Sequence, residues 1–100
     1  MGNNMPQYEI EDYQWILSPL RKELLFLIHD HPLIIREELL RLNTNPQTTI
    51  VDNITFLIEH AIVKKIKKHT NQTGRPPIMY RLTEYGQQIH KHLQELKQTK

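Results

Sequence analysis

Apolar positions along this chain keep helical spacing at first, switch to strand alternation, and then return to helical spacing. Leu20, Leu24, Leu27 and Ile28 recur on one helix face behind Ser18-Pro19. A serine whose hydroxyl can take a free backbone N–H, followed by a proline with no N–H to leave unpaired, marks a helix start. That helix is predicted to run to about His29. Asp30-His31-Pro32 stops it, because a residue before proline avoids the helical region. Leu33 to Ile35 is short and β-prone, and Arg36 to Leu42 reads as a brief second helix with Leu39, Leu40 and Leu42 apolar. Asn43-Thr44-Asn45-Pro46 turns the chain: asparagine tolerates positive φ, Asn45 is placed to cap, and Pro46 opens a third helix reaching about His60. Ile50, Ile54, Leu57 and Ala61 share one side of it, with Ile58 at the edge. Thr48, Asp52, Thr55, Phe56 and Glu59 point the other way, and Thr49 and Asn53 flank them.

The period then changes to two. Ile62 to Lys68 and Ile78 to Leu82 are the limbs of a predicted β-hairpin, with Ile78, Tyr80 and Leu82 inward and Met79 and Arg81 outward. Thr83 can cap a last helix, where Glu84 suits the positive end. Tyr85, Ile89, His92 or Leu93, and Leu96 fall on one stripe of that helix. Ahead of everything, Glu9 to Leu17 is weakly helical or extended and offers Ile10, Tyr13, Trp15 and Ile16 for packing. The predicted fold is mainly α with a small β-hairpin, in the order three helices, hairpin, helix.

Charge adds what periodicity cannot. The net charge is only +2, yet Met1 to Trp15 carries Glu9, Glu11 and Asp12 with no base, while Ala61 to Arg81 carries six cations and no acid. Lys64, Lys65, Lys67, Lys68, Arg75 and Arg81 on one hairpin repel each other unless something anionic lies against them. A phosphate backbone is the commonest such partner. The alternative use of exposed lysines is to discourage edge-to-edge strand pairing.

The end of this basic stretch is Gly74-Arg75-Pro76, then Tyr80-Arg81-Leu82-Thr83, with Gly86 three residues on. It resembles the wing of winged helix-turn-helix regulators of the MarR, PadR and ArsR type, and the resemblance covers residues 18–89. It implies a winged helix-turn-helix domain over residues 18–83, a three-helix core plus wing. Residues 1–17 are then an arm, and the helix at 84–100 serves dimerisation. It further implies that the third helix lies in the major groove of double-stranded DNA, with Gln47, Thr48, Thr49, Asp52 and Asn53 facing bases or phosphates. Arg75 would enter the minor groove, and Lys64, Lys65, Lys67 and Lys68 would hold phosphate. The expected function is a sequence-specific transcriptional regulator, a repressor in many such families. The rival is a winged-helix module that binds another protein.

The chain departs from that pattern in its third helix, which has no Lys or Arg, places Asp52 where relatives often carry a base, and puts Phe56 on an outward position that is usually polar. Ala61 follows the helix where relatives commonly have glycine, and a positive φ there would cost about 1 kcal/mol.

The remaining composition narrows the function. One hundred residues at 38% hydrophobic bury one modest core. The stripe of Tyr85, Ile89, Leu93 and Leu96, together with Trp15, is more apolar surface than such a core covers, so these residues are expected at a homodimer interface. No cysteine is present, no apolar run is long enough for a membrane, and the amino terminus has no signal-peptide pattern, so a cytoplasmic protein is expected. Six histidines invite a metal, but His29 with His31 and His90 with His92 stand two apart, which turns helical side chains to different sides, so neither metal nor cofactor is expected. No glycine-rich phosphate loop or nucleophile motif occurs, so no enzyme is expected.

Overall fold

The computed structural model describes residues 8–67 and 77–98. A 3-10 turn, Ile10–Asp12, leads into the short helix α1, Tyr13–Ile16. Helix α2 spans Pro19–Asp30, strand β1 Ile34–Ile35, helix α3 Arg36–Arg41 and helix α4 Gln47–Glu59. Strands β2, Val63–Lys67, and β3, Ile78–Leu82, precede helix α5, Glu84–Gln98. At α2 the expected cap is in place, with Ser18 Oγ accepting from the Arg21 N–H at 3.3 Å.

The sheet has three strands rather than the two of a hairpin, in the order β1-β3-β2 and antiparallel throughout. Ile34 lies opposite Tyr80, and Tyr80 opposite Lys65. Leu33, immediately before the two-residue β1, takes a left-handed conformation, φ 60°. Alternation then sorts the faces: Val63, Tyr80 and Leu82 are buried against the helices, while Lys64 and Arg81 face away.

Asn43, not Asn45, organises the turn before α4. Its buried side-chain oxygen accepts from the Asn45 N–H at 2.9 Å and from Asn45 Nδ2 at 2.7 Å, while its own amide donates to Glu23 Oε2 at 3.1 Å. Pro46 occupies the N-cap of α4, which has no side-chain cap. The far end of α4 closes in a Schellman motif: the Ile62 N–H donates to the Leu57 carbonyl at 2.9 Å and the Ala61 N–H to that of Ile58 at 3.0 Å. Ala61 takes the left-handed position, φ 62°, meeting the condition under which alanine is the costlier residue.

Immediately after that motif the chain is pinned again. The Thr83 hydroxyl donates to the Ala61 carbonyl at 2.6 Å and accepts from the Gly86 N–H at 2.9 Å, and the Thr83 N–H donates to the Ile62 carbonyl at 3.0 Å. Gly86 is required by this closeness, because a Cβ there would lie 2.1 Å from the Ile62 carbonyl oxygen. The end of α4, the base of both strands and the start of α5 therefore meet at one point.

One core unites all of these elements, with Tyr13, Leu24, Leu25, Leu39, Ile50 and Ile89 among its fully buried members. Tyr13 and Leu17 from the amino-terminal segment belong to it, so α1 is part of the packed unit. Among the described residues no helix is long and apolar enough to cross a membrane.

Candidate nucleic-acid interface

The start of α4 presents Gln47 and Thr48 as exposed side chains, with Thr49 half-buried and Asp52 exposed one turn later. Gln47, Thr48 and Asp52 lie on the outer side and Thr49 on its flank. Asn53 does not stand free beside them. Its Oδ1 accepts from Arg21 Nε of α2 at 2.7 Å, and its Nδ2 donates to the Thr49 carbonyl at 2.7 Å. With both ends of the amide engaged, Asn53 is a tie between α2 and α4 rather than a ready reader of adenine.

Phe56 departs from expectation in the same direction. It is half-buried against the core, not outward. The Arg21 guanidinium carbon lies 3.7 Å from its ring centroid, and the His60 ring stacks at 4.0 Å with the planes 25° apart. The column continues to Tyr8, whose ring is 5.8 Å from His60 and nearly parallel to it. Tyr13 meets His60 edge-on, and the Tyr13 hydroxyl and His60 Nδ1 share a hydrogen bond of 3.0 Å. Burial, and then the neighbouring Arg21 charge, hold the His60 pKa below its ordinary value, with Glu59 partly offsetting them. His60 is accordingly neutral at pH 7. Phe56 and His60 are one helical turn apart, but periodicity gives no sign of what joins them, since Tyr13 is 47 positions from His60.

On the wing, Lys64, Lys65 and Lys67 are all exposed. Lys65 and Lys67 share the face of buried Val63, the helix side of the sheet, with Lys65 opposite Tyr80 and Lys67 opposite Ile78. Lys64 points away, directly opposite Arg81, a like-charge pair. No described carboxylate pairs with any of these four cations. Lys68 and Arg75 lie outside the described residues.

The residues expected at a dimer interface divide. Ile89 and Leu93 are 0% and 5% exposed and already belong to the protomer's own core. Tyr85 is half-buried beside Tyr13, and its hydroxyl donates to the Tyr8 carbonyl. Only Trp15, 75% exposed, and Leu96, 41% exposed, remain available to a partner. Helical periodicity found the stripe but could not say how much of it α2 and the amino-terminal turn would cover. Next to Leu96, between α2 and α5, lies a cleft of 510 Å3 floored by Phe26, Leu27 and Leu93.

The histidines pair in a way their spacing did not suggest. His29 of α2 stacks on His90 of α5 with centroids 3.5 Å apart, and His29 Nδ1 lies 3.2 Å from Asp30. Burial, and then His29, lower the His90 pKa. Among the described residues no three metal-ligating side chains converge.

The order α2, β1, α3, α4, β2, β3 and α5 defines a winged helix-turn-helix fold. No family profile and no curated protein matches the sequence. Solved structures do. The transcriptional regulator SlyA superposes with a TM-score of 0.73 at 21% identity, over 89% of this chain and 61% of that one. Streptococcus pneumoniae FabT in complex with DNA gives 0.72 at 14%, over 89% and 64%. A mutant of E. coli MarR complexed with operator DNA gives 0.71 at 16%, over 87% and 61%. The chain therefore spans about three-fifths of the length of these regulators. At these identities the likeness is one of fold.

Proposed function

We propose that this chain is a double-stranded-DNA-binding transcriptional regulator of the MarR type, a repressor, working as a homodimer without catalysis or cofactor. The observation that carries the reading is the exposed start of α4 together with exposed wing lysines that no carboxylate pairs among the described residues, on a fold that FabT and MarR use in complexes with DNA. Gln47, Thr48, Thr49 and Asp52 are the groove-facing side chains in this reading, and Lys65 and Lys67 hold phosphates alongside. Arg75 is assigned to the minor groove from its place in the sequence. The dimer uses Trp15 and Leu96. A repressor of this kind belongs in the cytoplasm, and MarR-type neighbours favour that type over the PadR and ArsR types.

The test is duplex binding across a salt series, with Lys65→Gln and Lys67→Gln beside the parent protein. Log affinity should fall linearly with log salt, and each substitution should lower the slope by about 1. Partner binding that ignores salt, with no duplex affinity, would identify a protein-interaction module instead.

A further inference from the structure

Helix α4 carries no positive charge of its own and bears Asp52 and Glu59. A helix of that charge entering a groove between two phosphate rows meets repulsion from both sides. The structure shows a cation lying across it from elsewhere in the fold. Arg21, in the first turn of α2, reaches α4 through the 2.7 Å bond to Asn53 and the 3.7 Å contact with the Phe56 ring. We infer that Arg21 supplies the phosphate contact that α4 lacks. This rests on the DNA-binding reading above.

Three features support the assignment. First, the guanidinium is fixed at one edge and on one face, through Nε and through the aromatic ring, and among the described residues no partner holds its two Nη groups. A planar fork with its outer N–H groups open matches two oxygens of one phosphate. Second, it is half-buried with no carboxylate bound to it, although Asp52 and Glu59 stand on the same helix. Third, its place is correct for backbone rather than base. Asn53 and Phe56 lie on the flank of α4, beside the outer side that carries Thr48 and Asp52, so Arg21 faces the edge of a groove that α4 enters. Lysine would not reproduce this arrangement, since it has neither the plane to lie on Phe56 nor the Nε donor that Asn53 accepts.

The experiment compares the parent protein, Arg21→Gln, Arg21→Lys and Asn53→Ala on a short random-sequence duplex over roughly 50 to 300 mM salt. Thermal melts run on each variant separate loss of fold from loss of contact. Arg21→Gln should weaken binding about tenfold and reduce the salt slope by about 1. Arg21→Lys and Asn53→Ala keep the charge, so each should keep the slope while weakening binding several-fold through lost orientation. A folded Arg21→Gln variant with the parent slope overturns the assignment, because a purely structural arginine would change affinity without changing counterion release. If Arg21→Gln does not fold, Arg21→Lys binding with parent affinity overturns the oriented contact. A parent protein with no salt-dependent duplex binding removes the reading beneath it as well.

Discussion

At φ 62°, Ala61 holds the position that closes α4, and it does so without the freedom a glycine would have. Ala61→Gly should therefore raise stability by about 0.5–1 kcal/mol in urea unfolding, the reverse of glycine's usual effect. Gly86→Ala should do the opposite and do it severely. Its Cβ would meet the Ile62 backbone carbonyl, which already accepts the Thr83 N–H, so no flexible side chain can give way. A loss of at least about 2 kcal/mol, read as a shifted urea midpoint, is expected. His60 sets a pH dependence whose sign follows from its burial. The unfolded chain titrates near the ordinary value of 6.5 and the folded one lower, so over that interval the unfolded state binds more protons. The stability attributable to neutral His60 is complete above the unfolded pKa and declines as pH falls toward the folded one, and His90 acts in the same direction. Urea midpoints should drop between about pH 7.5 and 5.5, and less so in His60→Gln. The residues behind these three effects were not equally visible beforehand. Ala61 is marked in the sequence by its place after a helix, whereas Gly86 stands there only as part of the wing pattern, with nothing to show its contact with Ile62. The His60 environment is built from Tyr8, Tyr13, Phe56 and Arg21, which only folding brings together.

Elements were the most legible level, and the reason is that periodicity is a local property. Ser18-Pro19 started α2, Pro32 followed its end, and the switch to alternation located β2 and β3. Two errors have a common cause. A helical wheel assigns Phe56 to the outside and Asn53 to the flank by angle alone, but Arg21 of α2 reaches across that flank and engages both. Likewise β1 was recognised as β-prone, while its pairing with β3, which turns a hairpin into a sheet, is a contact across more than forty positions. Asp52 survives as an exposed acid on α4. Its replacement, Asp52→Asn, should strengthen non-specific duplex binding by about 1 kcal/mol in a titration at low salt, through relief of repulsion from phosphates. Unchanged or weaker affinity would put that side of α4 away from DNA.

For the molecule as a whole, the question is what covers Trp15 and Leu96. A dimer through these two residues should appear in sedimentation as twice the 12.0 kDa protomer at micromolar concentration, and Trp15→Glu with Leu96→Glu should return it to monomer without unfolding. Leu93 is unsuitable for that test, since it sits in the protomer core and a charge there would unfold the domain. The same monomer should bind a two-site duplex far more weakly than the parent, because one copy then engages one half-site. The charge asymmetry read from the sequence has a physical counterpart here: Glu9, Glu11 and Asp12 lie beside α5 at the amino-terminal turn, whereas Lys64, Lys65 and Lys67 lie on the wing.

The junction at Thr83 has a mechanical consequence. Because the Thr83 hydroxyl bridges Ala61 and Gly86, and its N–H holds Ile62, the last turn of α4, the root of the wing and the first turn of α5 share one frame. Bending the wing toward or away from α4 would have to break bonds at that point. On the proposed DNA-binding reading, a protomer would therefore meet a duplex with α4 and the root of the wing held as one block. In the proposed dimer, tolerance for one distance between half-sites over another has to be set where the copies join, at Trp15 and Leu96. Changes there would retune which operators are accepted while leaving every DNA-facing side chain untouched.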